Sequence, residues 1–339
     1  MEKPHLTFFC ELDAISLEKL FAKKRLITDL AALEASVSLG ILDLSPERAD
    51  IVRRLNKANI PVIAWQLLPK EDGYWYNLDN VQHASARYYA FKNWTDTHKL
   101  KWTGIGIDIE PDIREMQMVF HNRWRLLPTL IRRVFNTRRL VNAHLEYQRL
   151  IDSMRKDGFR LDSYQLPLII DERKARSTLL QRLAGLVNVQ VDREIVMLYS
   201  SFLRPWGAGA LWSYAHDADF VALGVTGGGV EFDGVLDKPP LSWEEFSRDL
   251  RLAWQWFDEI HIFSLEGCVQ QDFLSLLKRF DWSELATPPI HQTKRVNFVR
   301  SLLQRVLWAS AHPISILLVL IAIATAIRFL RSRKKMQSR

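Results

Sequence analysis

Cysteine is scarce in this chain: Cys10 and Cys268 are the only two among 339 residues. Two thiols at opposite ends of the body exclude a disulfide-stapled scaffold and a cysteine-built zinc module, leaving two buried apolar side chains as the plain reading. Acids disappear after Glu284, while ten bases follow it, from Lys294 to Arg339. The formal charge of +7 therefore belongs to the tail; without those ten bases, 36 bases face 39 acids and the body carries −3. A slightly acidic body argues against nucleic acid as a partner. The start, "MEKPHLTFFCELDA", has neither the basic lead nor the long apolar core and small-residue cleavage site of a secretory signal. No Gly-rich dinucleotide fingerprint follows the first apolar run, and "VTGGGVEF" (225–232) lacks the Gly-Lys-Ser/Thr of a phosphate loop. No cofactor and no metal are expected on these grounds.

Hydrophobic residues make up 48% of the chain, ample for a large core. Eight apolar runs stand in order: "HLTFFCEL", "EASVSLGILDL", "IPVIAWQLL", "TGIGIDIE", "YQLPLII", "EIVMLYSS", "FVALGVT" and "EIHIFSLEG". Segments with helical spacing separate most of them, such as "ERADIVRRLNKAN" and "WEEFSRDLRLAWQWFD". Strands alternating with helices pair in parallel through right-handed crossovers, and eight such units over residues 1–285 predict an α/β fold, the closed (β/α)₈ TIM barrel. A doubly wound open sheet is the competing arrangement.

Pro288 and Pro289 mark the end of the barrel, and 286–305 reads as a basic linker. Next comes "VLWASAHPISILLVLIAIATAI" (306–327), 22 residues without a formal charge, matching the roughly 20 needed to cross a bilayer. A transmembrane helix over 306–328 and a basic tail over 329–339 are expected, making the lipid bilayer a partner through a single-pass C-terminal anchor. The missing secretory signal favours a cytosolic body, whereas the bases after the helix favour keeping the tail inside too.

In a (β/α)₈ barrel the site forms at the C-terminal ends of the strands, so a polar residue closing an apolar run is a candidate. Glu11, Asp43, Asp108, Glu110, Asp171, Glu172 and Glu266 meet that test. Capping of the following helix is the ordinary role for Asp43, Asp171 and Glu172. Asp108 and Glu110 differ. Within "WTGIGIDIEPD" (102–112), Gly104, Gly106, Asp108 and Glu110 share one face and Ile105, Ile107 and Ile109 the other, so both carboxyls point into the barrel. Two carboxyls about 7 Å apart at Cα in a pocket of low dielectric cannot both ionise cheaply, and one is held protonated. A protonated Glu beside an ionised Asp suits general-acid catalysis at a glycosidic oxygen. The structural alternative is a pair that binds a buried Arg or a metal.

Aromatic residues gather after two runs: Trp65, Tyr74, Trp75 and Tyr76, then Trp206, Trp212 and Tyr214. Such rings can stack on a sugar's C–H face or simply fill core. Gln66 and Gln165, near strand ends, could hydrogen-bond hydroxyls or an acetamido group. The segment "HNRWRLLPTLIRRVFNTRRL" (121–140) mixes six arginines with apolar residues, suiting either anionic lipid or an ordinary barrel helix.

The strand-four run resembles the D-G-x-D-x-D-x-E of family 18 glycoside hydrolases, the chitinase-like enzymes, with "TGIGIDIE" (103–110) aligned on it. The resemblance implies that Glu110 is the general acid and that Asp108 positions and polarises a substrate N-acetyl group. In "VMLYS", Met197 and Tyr199 look like the Met-x-Tyr of the family's sixth strand, and "IFSLEG" resembles its eighth, with Phe263 where Trp is usual. These matches cover about residues 4 to 282. Thr103 and Gly106 stand where the motif has Asp, and Ser200 stands where Asp follows the Tyr. With the inner Asp missing, Asp108 lacks its usual proton-sharing partner.

Three readings follow. The first is a membrane-anchored glycoside hydrolase-like protein acting on an N-acetylglucosamine-containing or related glycan, with Glu110, Asp108 and Tyr199 as catalytic residues. Glu11, Trp65, Gln66, Trp75, Gln165, Phe263 and Glu266 would bind its substrate. The second is an inactive carbohydrate-binding or scaffold barrel at the membrane. The third is a metal-dependent sugar isomerase or lyase using His144, His216 or His261, none of which closes a strand beside two acids.

Overall fold

In the computed structural model, which describes residues 3–229 and 239–315 together with positions 318, 321, 324 and 325, eight parallel strands close into a barrel. They are β1 (His5–Cys10), β2 (Ser36–Ile41), β3 (Val62–Gln66), β4 (Gly104–Ile109), β5 (Leu161–Gln165), β6 (Arg193–Met197), β7 (Phe220–Gly224) and β8 (Glu259–Phe263). The ring closes where β1 pairs with β8, Phe9 opposite Phe263. This is the expected (β/α)₈ TIM barrel.

Alternation along each strand sorts the side chains into two cores. Ile105, Ile107 and Ile109 of β4 join the larger core between strands and helices. Phe9, Trp65, Tyr164, Ile195, Met197 and Ala222 pack together inside the barrel. Below them an ion network closes the N-terminal end: Arg193 bonds Asp162 at 2.9 Å and Glu259 at 2.5 Å, and His261 Nε2 lies 3.1 Å from Glu259. Glycine on β4 accommodates the neighbouring strand. A Cβ on Gly106 would lie 2.4 Å from the Tyr164 hydroxyl, which bonds Ser38 Oγ at 2.7 Å.

Two expectations need correction. The fifth strand is Leu161–Gln165, and most of "YQLPLII" lies beyond it; Pro167 opens the helix Leu168–Lys174 instead, because its ring has no N–H to give a strand ladder and suits a helix start. The segment expected as a linker, 286–305, is from Ile290 onward a helix, Ile290–Ala311, laid against the helix Gly207–Ala215. Arg300, buried, fixes it there. Its guanidinium lies 2.9 Å from Asp171 and 2.7 Å from Asp217, donates to the Ser213 carbonyl at 2.7 Å, and sits 3.7 Å over the Tyr214 ring. The membrane segment expected over 306–328 lies largely outside the described residues; its first turns end this packed helix, with Leu307 buried. Among the described residues no helix is long and apolar enough to cross a membrane.

Candidate active site

A cavity of about 1350 Å³ opens at the C-terminal ends of the strands. Asp108 and Glu110 line it from the end of β4, Glu11 from β1, Trp65 and Trp75 from β3 and its following loop, Tyr199 from β6, and Phe263 from β8. Gly227, Gly228 and Gly229 form a further wall after β7. All three have positive φ, and a Cβ on Gly228 would lie 2.6 Å from Glu266. Glycine is required there because the loop turns through the left-handed region while pressed on the β8 end. The rest of that loop, 230–232, lies outside the described residues.

Four carboxyls crowd this end of the barrel, and each binds its proton more tightly than usual. Burial, and then the charge of Glu110, raises Asp108 well above the ordinary range. Burial pushes Glu110 up to about 7, even though its carboxyl is in hydrogen-bonding contact with Asp108. Glu11 is pushed up to about 8 by burial, with the charges of Glu266 and Glu110 adding to the rise and a hydrogen bond from the Tyr74 hydroxyl opposing it. Burial likewise raises Glu266 to about 7. Both members of the Asp108–Glu110 pair are thus raised, and they titrate together rather than singly. Trp65 Nε1 donates to Asp108 Oδ2 at 3.2 Å, favouring the charged form of Asp108. Only 2% of Asp108 is exposed, whereas Glu110 is half-buried and is the member a ligand can reach. Tyr199 is raised by burial and by the surrounding acids, so its hydroxyl remains a donor.

The cavity therefore brings together Glu110, Asp108, Tyr199, Glu11, Trp65, Trp75 and Phe263. Glu266 sits just behind it, with Oε1 accepting from the Glu11 backbone N–H at 3.3 Å. Gln66 and Gln165 are placed elsewhere. Each follows an inward-facing residue, Trp65 or Tyr164, and so turns to the helix side, opposite Ile107 and Ile109 respectively. Of the other rim aromatics, Trp206 and Tyr214 line the cavity while Trp212 packs on Trp256. The histidines of the third reading lie away from the acids: His261 in the lower ion network, His144 accepting from the Asn188 N–H at 3.3 Å, and His216 against Trp256. Among the described residues no cluster of three His, Cys, Asp or Glu is arranged to hold a metal ion. The remaining acids are structural: Asp43 pairs with Arg48, and Glu172 accepts from the Gln181 N–H at 3.2 Å.

One wall was missing from the sequence reading. The helix Ile290–Ala311 lines the cavity through Lys294, Arg295, Val296, Phe298, Val299 and Leu303. Apolar residues at 296, 299, 303 and 307 repeat at helical spacing, a signal that the preceding prolines and the bases obscured.

No protein-family model and no curated protein matches the chain. Solved structures similar to it include the glycoside hydrolase domain of PgaB (BpsB) from Bordetella bronchiseptica, at 10% identity over 84% of this chain and all of that one, with a TM-score of 0.46. A xylose isomerase-like TIM barrel protein from Mycobacterium smegmatis matches at 12% identity over 84% and 100%, TM-score 0.45, and a D-allulose 3-epimerase from Methylomonas sp. at 12% over 89% and 98%, TM-score 0.40. Likeness at these levels assigns no chemistry to this chain.

Proposed function

We propose that this barrel is a carbohydrate-active hydrolase that cleaves a glycosidic bond by general-acid catalysis. The observation that carries the reading is the Asp108–Glu110 pair, both carboxyls lining the cavity at the end of one strand, with Glu110 the more exposed of the two. Glu110, protonated, gives its proton to the leaving oxygen as the C–O bond breaks, and Asp108, steadied by Trp65, faces the positive charge developing on the sugar ring. A water then adds to the anomeric carbon and returns a proton to Glu110. The Tyr199 hydroxyl donates to a ligand carbonyl such as that of an acetamido group, and Trp75 and Phe263 offer ring faces. An N-acetylglucosamine-containing glycan fits these groups. The uncharged run 306–327 supports a membrane-attached form of the protein.

A second reading, a sugar-binding barrel without turnover, draws on one observation. The Tyr164 hydroxyl fills the space beside Gly106, so no third carboxyl stands beneath Asp108 to exchange protons with it.

Turnover of a panel of fluorogenic N-acetylglucosaminyl and other glycosides by the full chain, compared with Glu110→Gln, separates the two. The full chain is required because its C-terminal helix walls the cavity. Hydrolysis lost by at least about a hundredfold in the variant, with binding retained, supports the enzyme. Binding without hydrolysis by the folded parent supports the second reading.

A further inference from the structure

The cavity has two chemically unlike ends. One is the acid floor; the other runs between the helix Ile290–Ala311, the helix Gly207–Ala215 and the start of Leu168–Lys174. Lys294, Arg295 and Arg300 are the charged residues of that second end, and its apolar side chains are left open to solvent: Phe298 is 71% exposed, Val299 57%, Trp206 46%, with Leu168 and Leu203 also exposed. Single exposed apolar residues are ordinary, but a contiguous row forming one wall of a catalytic cavity is a binding surface. Phe298 and Trp206 could stack on a sugar, but Leu168, Val299, Leu203 and Leu303 offer a free hydrophilic oligosaccharide neither a ring face nor a hydrogen bond.

We propose that the substrate is a saccharide carried on a lipid, its sugar at Glu110 and Asp108 and its apolar chain in the groove along Phe298, Val299 and Leu303. This rests on the glycosidase reading of the same cavity and names its substrate class. Three observations select a lipid chain as the occupant. The groove is continuous with the acid floor, so one amphiphilic molecule spans both. The helix that forms its wall ends inside the uncharged run 306–327, whose remainder would hold the cavity beside a bilayer. Lys294 and Arg295, exposed at the same rim one turn before Phe298, suit the anionic headgroups among which such a substrate sits.

Exposed apolar residues on the segment after β4 agree with this orientation. Trp124, Ile131 and Phe135 point outward rather than onto the barrel, and the helix carrying the last two, Leu127–Phe135, packs on Leu179–Ala184, which also touches the C-terminal helix. Leu126 and Leu140 of the same segment are buried, and the three exposed residues form a second apolar surface.

The test is binding of methyl and hexyl glycosides of one sugar, across a panel of sugars, to the full-length Glu110→Gln protein by calorimetry, with turnover by the parent measured in parallel. A buried methylene strengthens binding about fourfold, so partial burial of the hexyl chain gives at least about a tenfold preference over methyl. Phe298→Ser with Val299→Ser, at positions exposed enough to keep the fold, should cut that preference by more than about threefold. Equal affinity for the two glycosides overturns the proposal; it is the result if the chain's own C-terminal segment or a second copy fills the groove. A preference that survives the double variant, or hexanol competing as well as the hexyl glycoside, also overturns it. Methyl-glycoside turnover that depends on Glu110 without a hexyl preference leaves the glycosidase standing and removes only the lipid. Binding of neither glycoside by folded protein removes both.

Discussion

Replacing Glu11 by Gln should stabilise the protein in alkaline solution and leave it nearly unchanged in acid. Glu11 lies almost wholly buried at the end of β1, accepts a hydrogen bond from the Tyr74 hydroxyl, and has its carboxyl pushed up to about 8 from 4.5 by burial, helped by Glu266 and Glu110. At pH 4 folded and unfolded chains both hold this proton, and its contribution to stability is fully present. Between about 4.5 and 8 the unfolded chain releases the proton while the folded one keeps it, so stability falls as pH rises; above 8 the loss is complete. At about 1.4 kcal/mol per pH unit that interval amounts to about 5 kcal/mol. Water entering the cavity reduces it, and about half, roughly 2–3 kcal/mol, is the expected difference at pH 9. Gln cannot ionise, and its amide oxygen can still accept from Tyr74, so the acid-side difference stays within about 1 kcal/mol. Urea or thermal unfolding of both proteins from pH 5 to 9 reads this out. The midpoint of the variant should rise relative to the parent by about 5 °C over the series. A difference that does not grow with pH, or that favours the parent at pH 9, refutes the placement of a protonated carboxyl at this site.

Arg300→Met leaves Asp171 buried without its cation and should cost about 3–5 kcal/mol, seen as a lower urea midpoint; an unchanged midpoint would show that the helix is held by other contacts. Trp65→Phe keeps the ring packing on Phe9 but removes the N–H that steadies ionised Asp108. The acid limb of the kcat/KM profile should then move up by about one pH unit, and a limb that stays in place would separate Asp108 from the reaction.

The barrel was legible because each strand declares itself locally: Ile105, Ile107 and Ile109 against Gly106, Asp108 and Glu110 is a period that needs no partner to be read. The inward direction of the two acids followed from the same alternation. Gln66 and Gln165 turn to the helix side because parity, and not nearness to a strand end, sets direction: Trp65 and Tyr164 occupy the inward positions. What the chain hid depends on distant residues. Arg300 meets Asp171 across 129 positions, and no local pattern separates such an arginine from the free bases of a linker. The elevated proton affinities of Glu11 and Glu266 likewise arise only when β1 and β8 close the ring.

Gly106 and Tyr164 bear on how this site could change over evolutionary time. The hydroxyl of one occupies the space that any side chain on the other would need, and Ser38 on a third strand holds that hydroxyl in place. An aspartate at 106 is therefore unreachable by one step: it collides with Tyr164, while shrinking Tyr164 first opens a hole in the barrel and strands the Ser38 hydroxyl. The two positions are sterically interlocked, so any change to the chemistry of Asp108 and Glu110 has to come through other neighbours.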